Sequence, residues 1–189
     1  MKRNTRISFK KETLQRLLIV LFIFGFANTV NASTRALAKM AGLHKDKLER
    51  IVTKLVKVES TTGDYHVRNR KSGAYGRYQI MPKTASFYAK KLHIPFKKWK
   101  RPYNQDRIFQ AIMKDNISSL KRNGYKISAF SIYATHQQGS RGFRMIMTNR
   151  PLDRKTERNL RRNLPDHLSK VRKSRLKRTW IHYWKERFV

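Results

Sequence analysis

The chain contains no cysteine. That excludes disulfide staples, zinc–thiolate centres and a cysteine nucleophile, so stability has to come from a packed core. Acidic residues are scarce as well: 11 Asp and Glu stand against 45 Lys and Arg, for a formal net charge of +34. The six histidines form no His-x-x-x-His pair and no His/Asp cluster, which argues against a metal site. There is no Gly-x-Ser-x-Gly elbow and no phosphate-cradling Gly-Lys-Ser/Thr loop. Internal repeats and low-complexity blocks are missing too. The most apolar run, LLIVLFIFGFA, falls well short of the roughly 20 residues that span a bilayer.

What is present points to a folded, exported, cationic protein. Hydrophobic residues make up 39% and aromatics 11% of the 189 residues, enough for a real core. The positive charge predicts salt-dependent attraction to polyanions: nucleic acid, anionic lipid or a carboxylate-bearing cell wall. The N-terminus narrows that choice. A basic stretch, the apolar run and a Val30-Asn31-Ala32 ending follow the order of a secretory signal peptide. We expect residues 1–32 to be that leader, with a retained anchor as the alternative, and the protein to be exported to the periplasm or cell envelope. Export makes a specific nucleic-acid partner improbable.

Beyond the leader, residues 33–150 read as one catalytic-size domain and residues 151–189 as a basic helical extension. Asp46 suits a helix N-cap with Glu49 as its capping-box partner, and the helix should run to about Ser60. Residues 61–77 carry Gly63, Gly73 and Gly76 and read as loop or short irregular strands. Pro82 opens the next helix. Asn104 or Asp106 is expected to start a further helix, which Asn123-Gly124 stops. KISAFSIYATHQQG should form a buried helix ending at Gly139. WIHYWKERF, near the C-terminus, is too aromatic for plain disorder.

One carboxylate stands in an unexpected place. Glu59 lies within about 60° of Leu48, Val52 and Leu55 on a helical projection. An ionised, unpaired carboxylate in an apolar stripe costs several kcal/mol. The group is therefore either paired with a cation or kept partly protonated, the property required of an acid that protonates a leaving oxygen.

Two linked motifs bear on that choice. Glu59-Ser60 ends the helix, and Gly73-Ala74-Tyr75-Gly76-Arg77-Tyr78-Gln79-Ile80-Met81-Pro82-Lys83-Thr84-Ala85 follows. In order and spacing the pair resembles the lytic transglycosylase catalytic (SLT) domain, related to goose-type lysozyme. The resemblance covers about Lys45 to Phe143. It implies an α+β, predominantly helical, lysozyme-like fold and cleavage of peptidoglycan glycan strands, with no cofactor and no metal.

By position, the resemblance implies that Glu59 is the general acid/base, with Ser60 supporting the carboxylate or the substrate. Gln79 is implied on the sugar-binding wall, with Tyr78 and Met81 beside it. The family's third motif, Ala-Tyr-Asn-x-Gly, is altered here to Thr135-His136-Gln137-Gln138-Gly139. This puts His136 and Gln137 at the substrate, with hydrogen-bonding capacity kept. Tyr183 is a candidate late tyrosine by position alone. The resemblance implies a 1,6-anhydro product. Two rivals stay open: a muramidase using Asp64 as second carboxylate, and a non-catalytic cationic wall- or membrane-binding protein. Small members of the family also open the wall for a secretion, conjugation or motility apparatus. The basic tail leaves solvated faces, anionic polymers, lipid or a partner as its alternatives.

Overall fold

The computed structural model describes residues 33–188; the expected leader lies outside the described residues. A helix over residues 33–41 (α1) precedes α2, Lys45–Ser60. The apolar stripe of α2 is real: Leu48, Ile51, Leu55 and Val56 are buried. The expected Asp46 cap is not. His44 is the N-cap and makes no side-chain cap bond, while Asp46 sits inside the first turn, 3.4 Å from His44 Nδ1. A carboxylate there still opposes the positive end of the helix dipole, so the residue type was informative and the boundary was not.

The segment after α2 is irregular, as its glycines suggest. Its β content among the described residues is two isolated antiparallel bridges, Arg68 with Tyr75 and Tyr75 with Ile80. Helix α3, Pro82–Lys91, starts on its proline with Met81 as N-cap. A 3-10 turn at Phe96–Lys98 leads to α4, Pro102–Arg122. This helix begins earlier than Asn104 or Asp106, because Pro102 presets the first helical φ. The two polar side chains are thereby released for tertiary bonds. Asn104 Nδ2 donates to the Lys98 carbonyl at 2.7 Å, and Asp106 is taken up by the site described below.

Helix α5, Ala129–Met147, is capped by a reciprocal Ser128–Ser131 box and breaks direction at Gly139, whose φ of 69° and ψ of 163° are non-helical. Only glycine adopts that conformation readily. The helix expected to end at Gly139 does break there, and a second helical stretch follows across the kink. Three further helices follow: α6 (Arg154–Arg162), α7 (Asp166–Ser169) and α8 (Lys173–Arg187). Helices α4 and α5 pack on each other at the centre of the molecule.

The basic tail is helical and also part of the core. Leu176 and Trp180 are fully buried, and Trp184 and Phe188 nearly so, in one cluster with Ile108, Ile132 and Tyr133. Its cations point outward while its apolar stripe closes the interior. Residues 151–188 thus continue the hydrophobic core of residues 33–150. Among the described residues no helix is long and apolar enough to cross a membrane.

Candidate active site

Glu59 occupies the last turn of α2. The residue as a whole keeps part of its surface, yet burial pushes its carboxyl pKa up to about 7. Among the described residues its carboxylate has no hydrogen bond or ion pair, despite the surplus of Lys and Arg. Near neutral pH the group is therefore divided between acid and carboxylate, the condition a single acid/base needs. Ser60 is buried and its Oγ donates back to the Val56 carbonyl at 3.2 Å. Its hydroxyl hydrogen is committed to its own helix and not to Glu59.

The loop after α2 is fastened from beneath by α4. Gly76 has φ +78°, and its amide donates to the Val67 carbonyl at 2.7 Å. Under it, fully buried Gln105 accepts from the Arg77 amide at 3.3 Å and donates to the carbonyls of Tyr65 (2.9 Å) and Lys100 (2.7 Å). Asp106 gathers two hydroxyls: Tyr78 donates at 2.8 Å and Tyr65 at 2.9 Å. Burial raises the Asp106 pKa, an effect opposed by those hydroxyls and by Arg77. The Arg77 guanidinium lies 5.5 Å from the Tyr65 ring centre and 6.0 Å from that of Tyr78.

The residues of the second motif therefore differ in their setting. Tyr78 is buried, stacked on Phe109 with ring centres 3.8 Å apart. Gln79 has φ 46°, an unusual conformation for a residue with a side chain. Its Nε2 donates to the Gly76 carbonyl at 2.9 Å. That bond closes the loop and uses the amide's donor end, so the acceptor oxygen is the end left for a ligand. Met81 is 44% exposed.

Helix α5 reaches this loop through His136. The His136 Nε2 lies 3.2 Å from the Tyr78 carbonyl, which can only accept, so Nε2 carries the hydrogen. Burial pushes the His136 pKa down to about 4, and the ring is neutral at ordinary pH. Its Nδ1 is out of contact with solvent and unpaired among the described residues. One residue on, Gln137 donates through Nε2 to the Tyr133 hydroxyl, and Gln138 donates to Gln137 Oε1 at 3.0 Å. Burial, and after it the charge of Glu59, raise the Tyr133 pKa. Tyr183 also faces Tyr133 electrostatically, and carries the Arg187 guanidinium 3.6 Å above its ring.

Tyr133, Gln105 and Tyr65 were not among the residues that the sequence singled out, and Asp106 was marked only as a possible helix start. For Gln105 a signal existed: it falls in line with Ile108, Phe109 and Ile112, just as Glu59 falls in line with Leu48 and Leu55. Asp64, the second carboxylate of the hydrolytic alternative, is exposed and accepts from the His66 amide at 2.9 Å. A shallow depression bordered by Arg161, Leu164 and Lys170 contains none of these residues.

A family model described as the transglycosylase SLT domain matches residues 36–134. That span includes α2, the irregular loop, α3, α4 and the first turns of α5. It ends just before His136, and α6 to α8 lie beyond it. Among curated proteins nothing matches the chain.

Proposed function

Since the chain belongs to the transglycosylase SLT family, whose members are lytic transglycosylases acting on the glycosidic bonds of peptidoglycan, we propose that Glu59 is its single general acid/base. The bond cleaved is the β-1,4 link between N-acetylmuramic acid and N-acetylglucosamine. Glu59 in its protonated form gives its hydrogen to the bridging oxygen as positive charge develops at C1. The carboxylate so formed takes the proton of the muramyl C6 hydroxyl, whose oxygen bonds to C1. A 1,6-anhydro end results, and the acid is restored to its protonated state.

The observation that carries this reading is the isolation of Glu59: a carboxyl with a pKa of about 7 in a chain of +34, with no cation bound to it among the described residues. A structural glutamate in such a chain would be paired and its pKa lowered. Gln79 through its acceptor oxygen, Met81 through its exposed thioether, and His136 and Gln137 on α5 flank the sugar. Tyr78 supports that wall from within, and Ser60 holds the end of α2. Exposed cations of α6 and α8 add a salt-sensitive attraction to wall carboxylates. The enzyme acts in the periplasm or envelope, delivered by the leader of residues 1–32.

Digestion of purified sacculi followed by mass spectrometry of the muropeptides tests the reading. Anhydro termini are expected, and their disappearance in Glu59→Gln. Reducing termini would mean hydrolysis instead, which uses a second carboxylate about 5–9.5 Å away. Asp64→Asn is expected to keep activity within about twofold, since its carboxylate serves a loop turn. Activity surviving in Glu59→Gln would remove this residue from the chemistry.

A further inference from the structure

The turn from Gly76 to Gln79 closes on itself. The Gln79 amide donates to the Gly76 carbonyl at 3.1 Å, and the flanking Tyr75 and Ile80 exchange amide–carbonyl bonds of 3.1 and 3.0 Å. Gly76 has φ 78°, which suits a glycine, but Gln79 has φ 46°. A residue with a side chain stays in that region only where its surroundings over-determine it. Here they act through Tyr78, the residue before it. The Tyr78 ring is stacked on Phe109 with centres 3.8 Å apart. Its carbonyl accepts from His136 Nε2 at 3.2 Å, and its hydroxyl donates to Asp106 Oδ1 at 2.8 Å. Phe109 and Asp106 belong to α4 and His136 to α5, so every one of these holds comes from outside the turn.

We infer that Asp106 is a positioning residue for Gln79: by holding the Tyr78 hydroxyl it keeps the turn in the shape that presents Gln79 Oε1 to the sugar. The inference rests on the reading of Gln79 as a sugar contact. Stacking on Phe109 fixes the separation of the two rings but lets Tyr78 slide within its own plane. The bond from His136 stops that slide at the backbone end, and Asp106 stops it at the hydroxyl end. A carboxylate suits the task, because a bond to an ionised acceptor is stronger than one to a neutral oxygen. Gln79 Nε2 is spent on the Gly76 carbonyl at 2.9 Å, and Oε1 has no partner among the described residues. Its direction is therefore set by the turn. Tyr65 donates to the same carboxylate at 2.9 and 3.1 Å but lies outside the turn, which makes it a natural control.

The test compares full-length wild type with Tyr78→Phe, Tyr65→Phe, Asp106→Asn and Gln79→Ala. Tyr78→Phe keeps the stacked ring and loses only the hydroxyl; Tyr65→Phe takes the other hydroxyl from the same carboxylate. The Cα and Cβ carbon NMR shifts of Gln79 report its backbone conformation, and KM and kcat are measured on soluble glycan fragments prepared from sacculi. In Tyr78→Phe the Gln79 shifts are expected to leave the left-handed range. KM rises about tenfold with kcat within about twofold, the pattern of lost binding and intact chemistry. Asp106→Asn moves both readouts the same way by less. Tyr65→Phe lowers the melting temperature and moves neither. Gln79→Ala raises KM about as much as Tyr78→Phe, and combining the two adds nothing further.

Gln79 shifts in Tyr78→Phe that coincide with wild type would overturn the inference. So would an effect of Tyr78→Phe confined to the melting temperature, or a Tyr65→Phe variant that raises KM as much. An unmoved KM in Gln79→Ala would instead sink the reading of Gln79 as a sugar contact. The carbon shifts would still decide whether Asp106 holds the turn.

Discussion

A β-carbon placed on Gly76 would lie 1.8 Å from Oε1 of Gln105. Gln105 cannot retreat, since it is fully buried and tied to the carbonyls of Tyr65 in the loop and of Lys100 just ahead of α4. The φ of +78° at Gly76 is a second obstacle to any side chain. This pair ties the loop after α2 to α4, and it explains in steric terms why a glycine stands at that place in the motif.

Gly76→Ala is accordingly expected to lose about 2–4 kcal/mol of stability from overpacking and backbone strain. Thermal melting measures it. Trimming the clash with Gln105→Ala as a second change should not restore the wild type. The positive φ remains, and the carbonyls of Tyr65 and Lys100 lose their donor.

The buried carboxyl of Glu59 makes stability depend on pH, and the sign can be worked out. Its folded pKa of about 7 lies above the ordinary 4.5, so between those values the folded state binds more protons than the unfolded chain. Stability therefore falls as pH rises from about 4.5 to 7. The whole effect amounts to at most about 3 kcal/mol. Glu59→Gln is expected to melt higher than wild type at pH 8, and to show little gain at pH 4. Equal melting temperatures for the two proteins at pH 8 would contradict the burial of this carboxyl.

His136 acts in the opposite sense. Its folded pKa of about 4 lies below the ordinary 6.5, so the unfolded chain takes up protons first as the solution is acidified. The stability gained from a neutral buried ring is present above about pH 6.5 and is lost as pH falls towards 4. Replacing it by Gln, which does not titrate, should flatten the acid side of a stability–pH curve. A proton NMR titration showing His136 ionising near pH 6.5 in the folded protein would refute this.

Trp180 tests whether the tail belongs to the core. It is fully buried, and its indole nitrogen has no partner among the described residues. Trp180→Ala is expected to destabilise the whole protein by about 3–5 kcal/mol, in one cooperative transition. Trp180→Phe should lose much less, because no hydrogen bond disappears with the indole. A separate low-temperature transition for the tail alone would show that α8 folds apart from the rest.

Much of this protein was determined locally. Helix periodicity around Leu48, Leu55 and Glu59 already marked a carboxylate on an apolar face, since the 3.6-residue repeat depends on the chain alone. The glycines and Pro82 likewise placed an irregular loop ahead of a helix, because φ preferences act within a residue or two. Tertiary structure decided the rest. Asp106 could start a helix as well as receive two tyrosine hydroxyls, and only the approach of Tyr65 and Tyr78 from 41 and 28 residues away selects the second role. The basic tail carries its apolar stripe among many charges, and what that stripe would cover depended on where α5 lay. Tyr133 had no sequence signal of its own, for its setting comes from Gln137 on one side and from Trp184 and Phe188, some 50 residues on, at the other. Desolvation and packing are sums over neighbours drawn from the whole chain, so they exist only once it has folded.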